Sequence, residues 1–96
     1  MTRRSEKYYL AFAAIRALVN AHDPIGLLQL GAPADEYERA VAYLVPIVLR
    51  DERIAEQTVN QVWVKCFGTD YSMSGTDELA ALTGELGRLR LALQER

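Results

Sequence analysis

The chain has 96 residues, 50% of them hydrophobic and 25% charged, with a formal net charge of -2 and a pI of about 5.3. That length allows one domain with one core. The apolar content excludes a disordered chain, and the acidic balance excludes a broad basic surface for nucleic acid.

No apolar run approaches the ~20 residues that a bilayer span needs. The stretch Tyr8–Ile15 runs straight into Arg16 and carries helical periodicity, unlike a secretory leader. Arg3, Arg4 and Lys7 read as a solvated basic end. Cys66 is the one cysteine, which precludes an internal disulfide and makes a reducing, cytoplasmic setting the expectation.

The first helix is expected from about Ser5 to His22. Tyr8, Phe12, Ile15, Val19 and His22 share one face, widened by Ala11 and Leu18, while Leu10 falls nearly opposite. Asp23 and Pro24 end it, because the residue before a proline is pushed out of the α region. Asp23 is also a good N-cap and Pro24 a good first helical position. A short helical turn through Ile25, Leu27, Leu28 and Leu30, closed by Gly31, is therefore expected.

The second helix is expected from near Pro33 to about Leu49. Asp35, Glu36 and Glu38 crowd its first turns, where the helix dipole favours negative charge. Tyr37, Val41, Leu44 and Val48 form its apolar stripe. Pro46 lies on the opposite side, where it removes the bond to the Ala42 carbonyl and kinks the helix without ending it.

The third helix is expected from about Asp51 to Phe67, stopped by Gly68. Ala55, Val59, Val62 and Cys66 centre its apolar face, with Ile54 and Trp63 flanking. Thr69–Gly75 reads as a loop. The last helix begins near Thr76, capped by Thr76 itself or by Ser74 with Asp77. Leu79, Leu82, Leu86, Leu89 and Leu93 make its stripe, and Gly84 and Gly87 lie off it. No strand alternation appears. The pattern predicts an all-α fold: a small four-helix up-and-down bundle, with a short extra helical turn after the first helix, in a single helical domain over residues 1–96.

Chemical groups are few. His22 is the only histidine, so a His/Asp metal-hydrolase site lacks its parts. Cys66 sits mid-stripe with no base nearby in sequence and reads as a buried thiol. No phosphate-binding glycine pattern occurs. No catalytic, cofactor or metal residue is therefore expected. An alternative is kept: a small enzyme or metal-binding protein using Asp23, Asp35, Glu36 and Glu38 on a hard cation. Tyr9, Leu10, Tyr43 and Trp63 lie at the edges of stripes or off them, and form a candidate partner surface.

The segment Asp23-Pro24-Ile25-Gly26, followed by Pro33 and by Asp35-Glu36-Tyr37, is the most distinctive in the chain. It resembles the YugE-like group of small bacterial helical proteins of unknown function. Those carry a DPIG-type turn after the first helix and a DEY-type start to the second, and their next helix tends to end in a pair like Phe67-Gly68. The resemblance covers roughly the first two thirds of the chain. It implies a helical bundle of bacterial cytoplasmic origin and transfers no catalytic residues. Asp23, Pro24, Gly26, Asp35, Glu36 and Tyr37 are thus a motif that is either structural or binding. The expected function is that of a non-enzymatic, protein-binding helical domain, immunity-like, adaptor-like or homo-oligomeric, without nucleic-acid or membrane partners.

Overall fold

A computed structural model describes residues 3–33, 35–50 and 52–94, with the side chains of residues 3–5 left aside. It is helical throughout: α1 (Arg3–His22), α2 (Glu38–Leu49), α3 (Glu56–Phe67) and α4 (Asp77–Gln94), with a 3-10 turn at Thr69–Tyr71 and no strand among the described residues. Helix α1 packs on α2 and α4, α3 packs on the same two, and α2 also meets α4.

The periodic stripes make the core. From α1 come Ala11, Ile15 and Val19; from α2, Ala40, Val41, Leu44, Val45 and Val48; from α4, Leu79, Leu82, Leu86 and Leu93. Phe12, Leu18 and Leu89 pack against them half-buried. Pro46 sits inside α2, exposed, and the helix runs on through it to a bond from Arg50 N to Pro46 O at 3.2 Å. Thr76 caps α4: its hydroxyl accepts from Leu79 N at 3.1 Å and donates to Met73 O at 2.6 Å.

Three expectations are corrected. The segment after α1 is not a helical turn opening at Pro24. Gly26 adopts φ 77°, which breaks helical continuity, and a run of hydrogen-bonded turns follows up to Gly31 at φ 95°. Leu30 N there donates to Gly26 O at 3.1 Å and Ala32 N to Leu27 O at 3.0 Å. Helix α2 begins at Glu38 rather than near Pro33, because the preceding residues close separate turns, Glu36 N to Pro33 O and Glu38 N to Asp35 O. Asp35 and Glu36 are therefore exposed ahead of the helix, and only Glu38 lies in its first turn.

Helix α3 likewise starts late. Ala55 is extended, at φ -93° and ψ 146°, so residues 52–55 approach as irregular chain; Asp51 lies outside the described residues. The buried face of α3 is Val59, Val62 and Trp63, while Cys66 is half-buried and Ala55 exposed. Trp63 is central to the core, with no exposure at all. Residues off the helices, Ile54 and Met73, complete the core at this end. Asn60 on α3 pins the following loop, its side-chain oxygen accepting from Met73 N at 2.7 Å.

Candidate functional site

The structure joins the two halves of the distinctive motif. Helix α1 stops because Asp23, whose amide still donates to Val19 O at 2.8 Å, turns into the left-handed region at φ 43°. That swing brings its carboxylate over the next turn. One oxygen accepts from Leu28 N at 3.0 Å and the other from Gln29 N at 3.1 Å. The Tyr37 hydroxyl donates to the first of these oxygens at 2.6 Å and itself accepts from Ile25 N at 3.1 Å. The phenol ring is buried, stacked on Trp63 at 5.7 Å and edge-on to Phe67 at 5.8 Å.

The electrostatics follow from these bonds. The Tyr37 hydrogen bond, aided by the amides of Leu28 and Gln29 against partial burial, holds the Asp23 carboxyl below its ordinary range. Burial first, and the Asp23 bond second, push the Tyr37 phenol up to about 12. A carboxylate with three donors and a phenol with a donor and an acceptor are satisfied by each other and by the backbone. The pair is a polar clasp holding the turn against the aromatic core.

The remaining motif residues divide. Gly26 supplies the left-handed turn, its amide donating to Asp23 O at 2.8 Å. Pro24 joins Asp23 to that turn half-buried. The acidic residues are not gathered with Asp23: Asp35 and Glu36 are exposed, and Glu38 pairs with Arg16 at 3.2 Å. Among the described residues, no group of three or more His, Cys, Asp or Glu is placed to hold a metal ion. For Cys66, burial pushes the thiol up, outweighing the Arg39 and Lys65 charges that pull it down. His22 does have a partner that sequence reasoning missed. Its Nε2 lies 3.0 Å from Glu85 Oε2 on α4, across 63 residues of chain, a separation at which no local pattern signals a contact.

The candidate partner surface survives in part. Tyr9 is 71% exposed and Leu10 48%, both on the outer side of α1. Tyr43 is barely exposed, with Lys65 Nζ 4.9 Å above its ring. Trp63 is removed from that surface by its burial between Tyr37 and Phe67. Beside Tyr9 lies Tyr8, in edge contact at 5.8 Å. Tyr8, Val45, Pro46 and Leu49 line an open apolar groove of about 650 Å³ between α1 and α2, with Lys7 and Arg50 at its rim. The sequence marked Tyr9 and Leu10 by their position off the stripe, but the groove needs the end of α2 beside the start of α1.

No family model, curated protein or solved structure matches the chain.

Proposed function

We propose that the chain is a non-enzymatic, protein-binding helical domain, an immunity-like or adaptor partner in the bacterial cytoplasm, related to the YugE-like group through its Asp23–Gly26 and Asp35–Tyr37 motifs. We read its four helices as an up-and-down bundle. Two sets of contacts support that reading. Arg16 meets Glu38 at the start of α2, while Lys7 and Tyr8 face Leu49 and Arg50 at its end. His22 meets Glu85, while Ala14 and Ala17 face Arg88 and Leu89 further along α4.

The observation that carries the binding role is the groove between α1 and α2, which continues into the exposed rings and side chains of Tyr9 and Leu10. Its occupant is a segment of a different protein whose apolar side chains are flanked by carboxylates. Charge complementarity selects it: Lys7 and Arg50 stand at the rim, and neither is in an ion pair among the described residues. The Ala42 carbonyl beside them also lacks its helical donor, because residue 46 is proline.

The test is selection of random dodecapeptides displayed on phage against the immobilised full chain and against Pro46→Glu. That change restores a helical amide and sets a negative charge in the groove. The expected result is an apolar, acid-flanked consensus that loses binding at least about tenfold on Pro46→Glu. Basic or neutral peptides, or binding indifferent to the substitution, overturn the reading. So does a dimer in sedimentation that Pro46→Glu dissolves, since the groove then receives a second copy.

A further inference from the structure

A second cleft lies between the start of α3 and the outer face of α4, away from the groove. Ala80, Gly84, Gly87 and Leu91 recur at helical spacing and form its α4 wall. Gly84 and Gly87 are interior helix positions, where glycine is less stable than alanine. Packing does not demand glycine at either. A Cβ on Gly87 would meet nothing within 4 Å, and one on Gly84 only Arg88 Nη1 at 3.9 Å. The cleft over them has a volume of about 910 Å³.

Its walls point to an anion. Among the described residues, Arg53, Arg88 and Arg90 line it against a single carboxylate, Glu56, and none of the three arginines is in an ion pair. Thr83, only 8% exposed, also lines the cleft, and its buried hydroxyl has no hydrogen-bond partner. Arg90 Nε is likewise buried without one. Helix α3 begins in the same wall, at Ala55 and Glu56, with no side-chain cap on its N-terminus. Unsatisfied donors, a positive helix end and guanidinium groups all favour negative charge. Among the described lining residues, three arginines less one glutamate leave two positive charges, in a chain whose net charge is -2. A phosphoryl dianion matches that excess, and a single carboxylate does not. Ile54 and Leu91 beside the glycine strip provide an apolar floor for the rest of the molecule.

We propose that this cleft binds a phosphoryl-bearing small molecule with an apolar body, which lies over Gly84 and Gly87 with its phosphoryl group among the arginines. The test is amide NMR of the full chain, in which glycine resonances are well separated, titrated with phenyl phosphate, inorganic phosphate and benzyl alcohol. Phenyl phosphate is expected to move the Gly84 and Gly87 amides saturably, and benzyl alcohol to leave them unmoved. Arg53→Ala and Gly87→Ala are each expected to weaken binding at least about tenfold. Gly87→Ala separates the site from a general defect, because it should raise the melting temperature while its methyl group occupies the ligand's place. No saturable shift with phenyl phosphate, an equal response to benzyl alcohol, or full affinity in Gly87→Ala overturns the proposal. Equal affinity for inorganic phosphate overturns the apolar body.

Discussion

Replacing Tyr37 by phenylalanine tests the clasp most directly, because it removes one oxygen and leaves the ring on Trp63 and Phe67. Two losses follow. The hydroxyl no longer donates to Asp23, and a hydrogen bond to a charged group is worth ~1.5–3 kcal/mol. The part-buried Ile25 and Leu27 amides lose their acceptor, and a stranded donor costs ~1–3 kcal/mol more. The two overlap in a small turn that can relax toward water, so we expect about 3 kcal/mol in all. For a domain of this size that is a large share of a total on the order of 5–15 kcal/mol. Urea denaturation, with an unchanged dependence on urea, is the assay. Asp23→Ala should destabilise as well, because the same bond goes and alanine must take up the left-handed φ of 43°. Asp23→Asn should lose less, since it keeps an acceptor and tolerates that conformation. Combined with Tyr37→Phe, Asp23→Ala should cost less than the sum of the two, as the shared bond is lost once. A Tyr37→Phe protein within ~0.5 kcal/mol of the parent, together with strict additivity, would refute the clasp. It would return the Asp23–Tyr37 motif to the list of binding surfaces.

Further outcomes follow from other contacts. Because the folded Tyr37 phenol is raised to about 12, its contribution is fully present below the free phenol's ~10 and is lost as pH rises through the folded value; alkaline melts of parent and Tyr37→Phe should converge in that window. Asp23 has the opposite sign: its lowered carboxyl contributes above the ordinary ~4 and fails as pH falls through the folded value, a loss absent from Asp23→Ala. Trp63→Ala should cost ~3–5 kcal/mol if the ring is a core element, whereas an exposed partner anchor would cost little; the single tryptophan's fluorescence in the parent should move to longer wavelength on unfolding. Thr76→Ala should cost about 1 kcal/mol through loss of the α4 cap, measured by the same urea titration. Gly87→Ala should add up to ~1 kcal/mol, since its methyl group meets nothing.

What the sequence carried well was whatever repeats along one helix. The α4 leucines and the Tyr37–Val48 stripe needed no knowledge of the partner helices, because amphipathic spacing is a local property. Helix starts were harder for a related reason. Ile54 is buried and Tyr37 is fully so, yet both stand just outside a helix, and apolar periodicity does not distinguish a core residue on a turn from one on the helix that follows. Trp63 was misplaced by phase alone: with α3 starting at Glu56, its buried face includes Trp63 and leaves Ala55 and Cys66 outside or at the edge.

The pairings that decide chemistry are all non-local. His22 with Glu85, and Asp23 with Tyr37, become visible only once the chain has folded back on itself. This bears on where function is sought. The residues that stand out in the sequence, Asp23, Gly26 and Tyr37, are engaged in holding one turn, their polar atoms matched to one another. Gly84 and Gly87 stand out less, reading as no more than two weak points in the best helix. A helix interior that keeps glycine where a methyl group would fit gives up stability without a packing return. The arginines, in no ion pair among the described residues, and the unpartnered Thr83 hydroxyl beside those glycines show the same imbalance in polar groups. Local rules broken without internal compensation are where a fold can accommodate something other than itself, and Gly84, Gly87, Thr83 and Arg90 bring several of them together on α4.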